Sequence, residues 1–116
     1  MTVCLLEPGR GELHYFGVGN VNGRVLTGTE ERGLVTFGGT LGLQLRPPRI
    51  RVLSQPWVPG TRLVLWTDGL SSRLELAARP GLMDRDPAVA AAALHRDHAR
   101  ERDDATVVVV RHPEPP

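Results

Sequence analysis

The chain has 116 residues, one domain's worth, and a chain near this length hides roughly two-thirds of its unfolded surface. With 41% hydrophobic and 23% charged residues it is neither a disordered tail nor a low-complexity segment, and 13 Gly with 10 Pro exclude an all-helical bundle. The basic residues are all Arg, 14 against 13 acidic, and their scatter leaves no electrostatic footprint for nucleic acid.

Residues 2–7 (TVCLLE) predict a first strand, closed by the Pro-Gly turn signal of PGRGE. LHYFGV predicts the second strand. GNVNG reads as a turn into RVLTG, with Gly supplying positive φ and Asn20 or Asn22 tolerating it. Residues 34–37 predict a further short strand ended by GGTLG, and Arg46, Arg49 and Arg51 a solvated loop edge. RIRVLSQ alternates with the period of a half-buried strand, and RLVLW at 62–66 reads as a central strand buried on both faces. Hairpin-length links between these runs predict mainly antiparallel pairing.

Residues 74–83 predict a short helical turn. Asp86 as N-cap and Pro87 at the first helical position then open an Ala-rich helix reaching residue 100. The β-branched run of ATVVVV predicts a last buried strand, and residues 113–116 a frayed tail. No apolar run approaches the ~20 residues of a membrane span, and the absence of a basic-then-apolar leader predicts a cytoplasmic protein. Cys4, alone in an apolar run, reads as a small buried hydrophobe.

Four features invite chemistry. GVGNVNG follows a strand as a dinucleotide fingerprint would, but its glycines are misspaced and a strand follows, so no helix N-terminus awaits a pyrophosphate. His95 and His98 share a helical face beside Asp97 without a third ligand in view, which reads as a solvated face. His14, in a strand, reads as a core or edge residue. Asp68, in LVLWTDGL, and Asp103-Asp104, in RDDAT, each read alone as turn residues.

Together these acids mean more. TDGL ends one buried strand and RDDAT leads into another, with a helix between. If those strands pair antiparallel, Asp68 and Asp103 reach the same rim of the sheet. Converging carboxylates suit Mg²⁺ or Mn²⁺, and through it metal-assisted hydrolysis of a phosphate ester with a metal-bound water as nucleophile.

The ordered series GVGN…GRVL, GGTLGL, LVLWTDGL, Ala-rich helix and RDDATVVVVR resembles the C-terminal half of a bacterial metal-dependent protein serine/threonine phosphatase of the type 2C (PPM) class. Within that class it is similar to the SpoIIE-like branch, over residues 2 to about 112. The resemblance implies an α+β fold, part of an α-β-β-α sandwich of antiparallel sheets with flanking helices, over a partial domain of residues 1–112. It implies Asp68 and Asp103 as Mn²⁺ or Mg²⁺ ligands. Asp104 matches the neighbouring polar position, and Gly69 the glycine that lets the backbone pass close to the site. Gly17, Gly19, Asn20, Gly39 and Gly42 match structural loops.

The family's first metal-binding element, an N-terminal Asp-Gly that bridges two ions, has no counterpart here, for Asp68-Gly69 is the only Asp-Gly in the chain. The expectation is therefore a chain that lacks the N-terminal half of the fold, binds metal weakly and hydrolyses nothing alone. Its partners would be a phosphoprotein of a sigma-factor or stress pathway, the missing half, or its own copies, with no nucleic acid and no membrane. A non-catalytic pseudophosphatase and an unrelated all-β binding domain stand as the alternatives.

Overall fold

In the computed structural model, residues 1–28, 30–34, 51–70, 74, 76, 81–100 and 104–115 are described. Strands β1 (Thr2–Glu7), β2 (Glu12–Gly17), β3 (Val21–Thr27), β4 (Glu30–Gly33), β5 (Leu53–Pro56), β6 (Arg62–Thr67) and β7 (Val107–Arg111) form two sheets, and helix α1 spans Pro87–His98. The first sheet has the order β1-β2-β5 and the second β4-β3-β6-β7, with every pairing antiparallel. This is an α+β architecture of two antiparallel sheets and, among the described residues, one helix.

The layers follow from strand alternation. Leu13, Tyr15, Val25 and Leu63 meet between the sheets with Trp57 and Leu34, and Cys4 and Leu6 pack at that cluster's edge. Cys4 is half-buried rather than fully buried, and that burial pushes its thiol above its ordinary range. The opposite face of β6 carries Val64 and Trp66, which pack with Leu70, Met83 and the α1 residues Ala90 and Leu94. β6 is thus buried on both faces, one against the first sheet and one beneath the helix.

Helix α1 begins where the sequence places it. The Asp86 carboxylate accepts a hydrogen bond from the Ala88 amide at 2.9 Å, and Pro87 stands in the first turn. Asp86→Ala is expected to cost about 1 kcal/mol, read as a lower urea midpoint with an unchanged denaturant slope.

Three elements depart from the sequence reading. β3 starts at Val21, so Asn22 and Gly23 lie in a strand, and among the described residues none other than Gly takes a positive φ; Gly19, at 98°, turns the link without Asn20 or Asn22. β4 forms from EERG, which has no apolar signal, because the free edge of β3 accepts it. β7 is half-buried, with Val108 44% exposed, because among the described residues it has one neighbouring strand.

Leu34 is buried, while residues 35–37 of the strand expected there lie outside the described residues, as do Gly39, Gly42, Arg46 and Arg49. Of the helical turn expected within 74–83 and broken at Pro80-Gly81, residues 75 and 77–80 lie outside the described residues; a separate short 3-10 turn at Leu82–Asp84 follows the break. At the C-terminus, His112 still exchanges backbone hydrogen bonds with Gly60 and Thr61. No helix among the described residues is long and apolar enough to cross a membrane.

Candidate functional site

β6 and β7 pair antiparallel with Trp66 opposite Val107, so the end of the first strand lies beside the start of the second. Asp68 is exposed directly after β6. The Thr67 amide donates to the Thr106 carbonyl at 3.1 Å, and the Thr106 amide donates to Thr67 Oγ1 at 3.0 Å. These bonds fix the 104–106 segment against the TDG turn. Asp104 is exposed at this rim, whereas Asp103 lies outside the described residues.

Gly69 is buried under that segment. A Cβ built on it would overlap the Asp104 carbonyl oxygen and lie 2.6 Å from the Asp104 carbonyl carbon and 2.8 Å from Ala105 Cα. Only a residue without a side chain lets the two backbones approach so closely. The Gly69 carbonyl in turn accepts the Arg100 amide at 2.7 Å, and Leu70 bridges to Ala99, which ties the chain leaving α1 to the same turn.

One participant escaped the sequence reading. Asn22 Nδ2 donates to Asp68 Oδ1 at 3.4 Å. The contact arises because β3 runs antiparallel to β6, with Val21 opposite Thr67 and Asn22 opposite Trp66. The Gly17–Asn20 link therefore stands at the same end of the molecule, Gly17 as the last residue of β2 and Gly19 and Asn20 in the connection to β3.

His95 and His98 lie in the last turn of α1, with no contact to Asp68 among the described residues. The donors that the described residues bring to the Asp68 turn are oxygens, from the Asp68 and Asp104 carboxylates and backbone carbonyls. That donor chemistry fits a hard divalent cation.

No protein-family model matches this chain, and no curated protein matches its sequence. Solved structures do. The fold is similar to a chain from the bacterial stressosome, a modular system adapted to control secondary messenger signaling, with a TM-score of 0.83 and 18% identity over 95% of this chain and 57% of that one. It is also similar to the phosphatase domain of the cell fate determinant SpoIIE from Bacillus subtilis, with a TM-score of 0.70 and 19% identity over 100% of this chain and 56% of that one. At these identities the likeness is one of fold. The chain spans little more than half the length of either structure.

Proposed function

We propose that this chain is part of a metal-dependent, SpoIIE-like PPM-type phosphatase domain that acts on phosphoserine or phosphothreonine of a cytoplasmic signalling protein. The observation that carries the reading is the Asp68-Gly69 turn, packed backbone to backbone against Asp104-Ala105 in a chain whose fold is similar to the SpoIIE phosphatase domain. Asp68 and Asp103 are the proposed ligands for Mn²⁺ or Mg²⁺, with Asp104 beside them.

Asn22 holds one oxygen of Asp68. Gly69 keeps the 104–106 segment close enough for acids of both strands to share one rim. When bound, the cation supplies positive charge for the oxygens of a phosphate ester. Asp68 and Asp103 would hold that ion, but two carboxylates do not hold the pair of ions ~3.5–4 Å apart that bridging chemistry requires. The scarcity of carboxylates among the described residues of the rim favours a second reading, a non-catalytic module that recognises a signalling partner.

Titration with Mn²⁺, followed through the resonance of the free ion, is expected to show weak binding, on the order of millimolar. Asp68→Ala and Asp103→Ala should each abolish it. Binding that survives both substitutions overturns the ligand assignment. In the same preparations, p-nitrophenyl phosphate hydrolysis should stay at background; Mn²⁺-dependent turnover lost in Asp68→Asn would overturn the expected inactivity and remove the partner-recognition reading.

A further inference from the structure

The β1–β2 hairpin is closed by a 3-10 turn at Pro8–Arg10 and by Gly11 in the left-handed region, at φ 65°. This closure sets Glu7 directly opposite Glu12. Facing carboxylates on one sheet surface repel each other, so the hairpin holds two like charges where a cation between them would be favourable. His14, two residues beyond Glu12, projects from the same face. Its Nε2 lies 3.2 Å from Glu12 Oε2 and 4.0 Å from Glu7 Oε2, and the three donor atoms lie within 4.8 Å of one another.

A third strand orients the ring. His14 pairs with Ser54 of β5, and His14 Nδ1 is 2.7 Å from Ser54 Oγ. With an ion bound, Nδ1–H would donate to that hydroxyl and Nε2 would offer its lone pair to the ion between it and the two carboxylates. A partner on the remote ring nitrogen is the arrangement that orients metal-binding imidazoles. Arg10 reaches Glu7 Oε2 at 3.4 Å from an exposed position, and it can withdraw into solvent. The side chains of His14 and Glu7 are about three-quarters covered, and that of Glu12 is half exposed, which leaves an open side for water or an exchanging ion.

We propose that Glu7, Glu12 and His14 form a binding site for a first-row divalent metal ion of the zinc type, separate from the Asp68 rim. An imidazole with two carboxylates favours such an ion over Mg²⁺ or Ca²⁺, which prefer oxygen alone. Bonds of ~2.0–2.2 Å place tetrahedral donors about 3.4 Å apart, so the Glu12–His14 separation already matches and Glu7 closes by a rotamer adjustment. The site is remote from Asp68: it stands at the opposite end of β2 from the Gly17–Asn20 link, about 17 Å along the strand. The expected role is structural, a clip across the three strands of the first sheet.

Calorimetric titration of untagged protein with Zn²⁺ is expected to show one ion per chain, bound at least about tenfold tighter than Mg²⁺. In wild-type protein, the His14 ring resonances should shift before those of His95, His98 and His112. Glu12→Gln and His14→Gln should each weaken Zn²⁺ binding at least about tenfold, and Ser54→Ala by up to about tenfold, while Asp68→Ala leaves it unchanged. No binding, an unmoved His14 ring, or full affinity in His14→Gln overturns the site and leaves a His–carboxylate ion-pair cluster. The wild-type ring shifts decide the matter even if a variant fails to fold.

Discussion

Gly69→Ala is expected to lower the stability of the chain by about 3 kcal/mol, the upper end of what overpacking costs, with a fall of about 10 °C in melting temperature. The atoms that a Cβ would meet are the carbonyl group of Asp104 and Ala105 Cα, all backbone, so no side chain can swing aside. Relief requires the start of β7 to move. That motion breaks the Thr67–Thr106 bonds and strains the Gly69 carbonyl bond to Arg100, at about 1 kcal/mol net for each hydrogen bond lost.

Two controls isolate the cause. At Gly23 the new methyl would meet the tips of Leu34 and Leu65 at 2.8 Å; flexible side chains repack, and the expected cost is nearer 1 kcal/mol. At Gly9 nothing lies within 4 Å, and the expected change is within about 0.5 kcal/mol. Urea midpoints should follow the order Gly69, Gly23, Gly9. A Gly69→Ala protein as stable as Gly9→Ala would show that the close approach of the two segments is not fixed. Because the same motion carries the 104–106 segment away from Asp68, Mn²⁺ binding should weaken with stability in Gly69→Ala and persist in Gly23→Ala.

How much of this was legible in the sequence depends on whether each feature is local. Asp86 and Pro87 announce α1 because capping is settled within one turn. RLVLW announces a strand covered on both faces because Leu63 and Val64 face opposite ways and both are apolar. EERG announces nothing: β4 owes its existence to the open edge of β3. Asn22 looked like a turn residue because Asn-Val-Asn-Gly has turn composition, yet the β3–β6 register draws it into a strand and onto Asp68.

The rim itself was inferable from one premise, that the strands flanking the helix are antiparallel neighbours, and β6 and β7 are. The Glu7, Glu12 and His14 cluster had a subtler signal. A four-residue loop between Glu7 and Glu12 makes them a facing pair, and His14 then falls on their face; Ser54, forty residues away, had none.

The first sheet leads to the last expectation, that the chain self-associates through the outer face of β1, β2 and β5. α1 covers the second sheet, whereas among the described residues nothing covers the first. Val3, Leu5 and Val52 there are 42%, 55% and 59% exposed. Val3 stands opposite Phe16 and Leu5 opposite His14, so the apolar groups form one continuous strip that ends at the acidic Glu7–Glu12 corner. Continuous apolar patches beyond a few hundred Å² are uncommon on monomers, and each Å² buried returns about 25 cal/mol. β1 is also an edge strand with neither Lys nor Pro to deter a neighbour. Sedimentation across a dilution series should therefore show oligomers that dissociate toward low micromolar concentration. The double substitution Leu5→Glu with Val52→Glu should leave the fold intact, since both side chains are exposed, and shift the protein to monomer at every concentration. A wild-type chain that is already a cooperatively melting monomer throughout the series refutes the expectation. Oligomers undiminished in the double variant would move the contact from the face to the β1 edge.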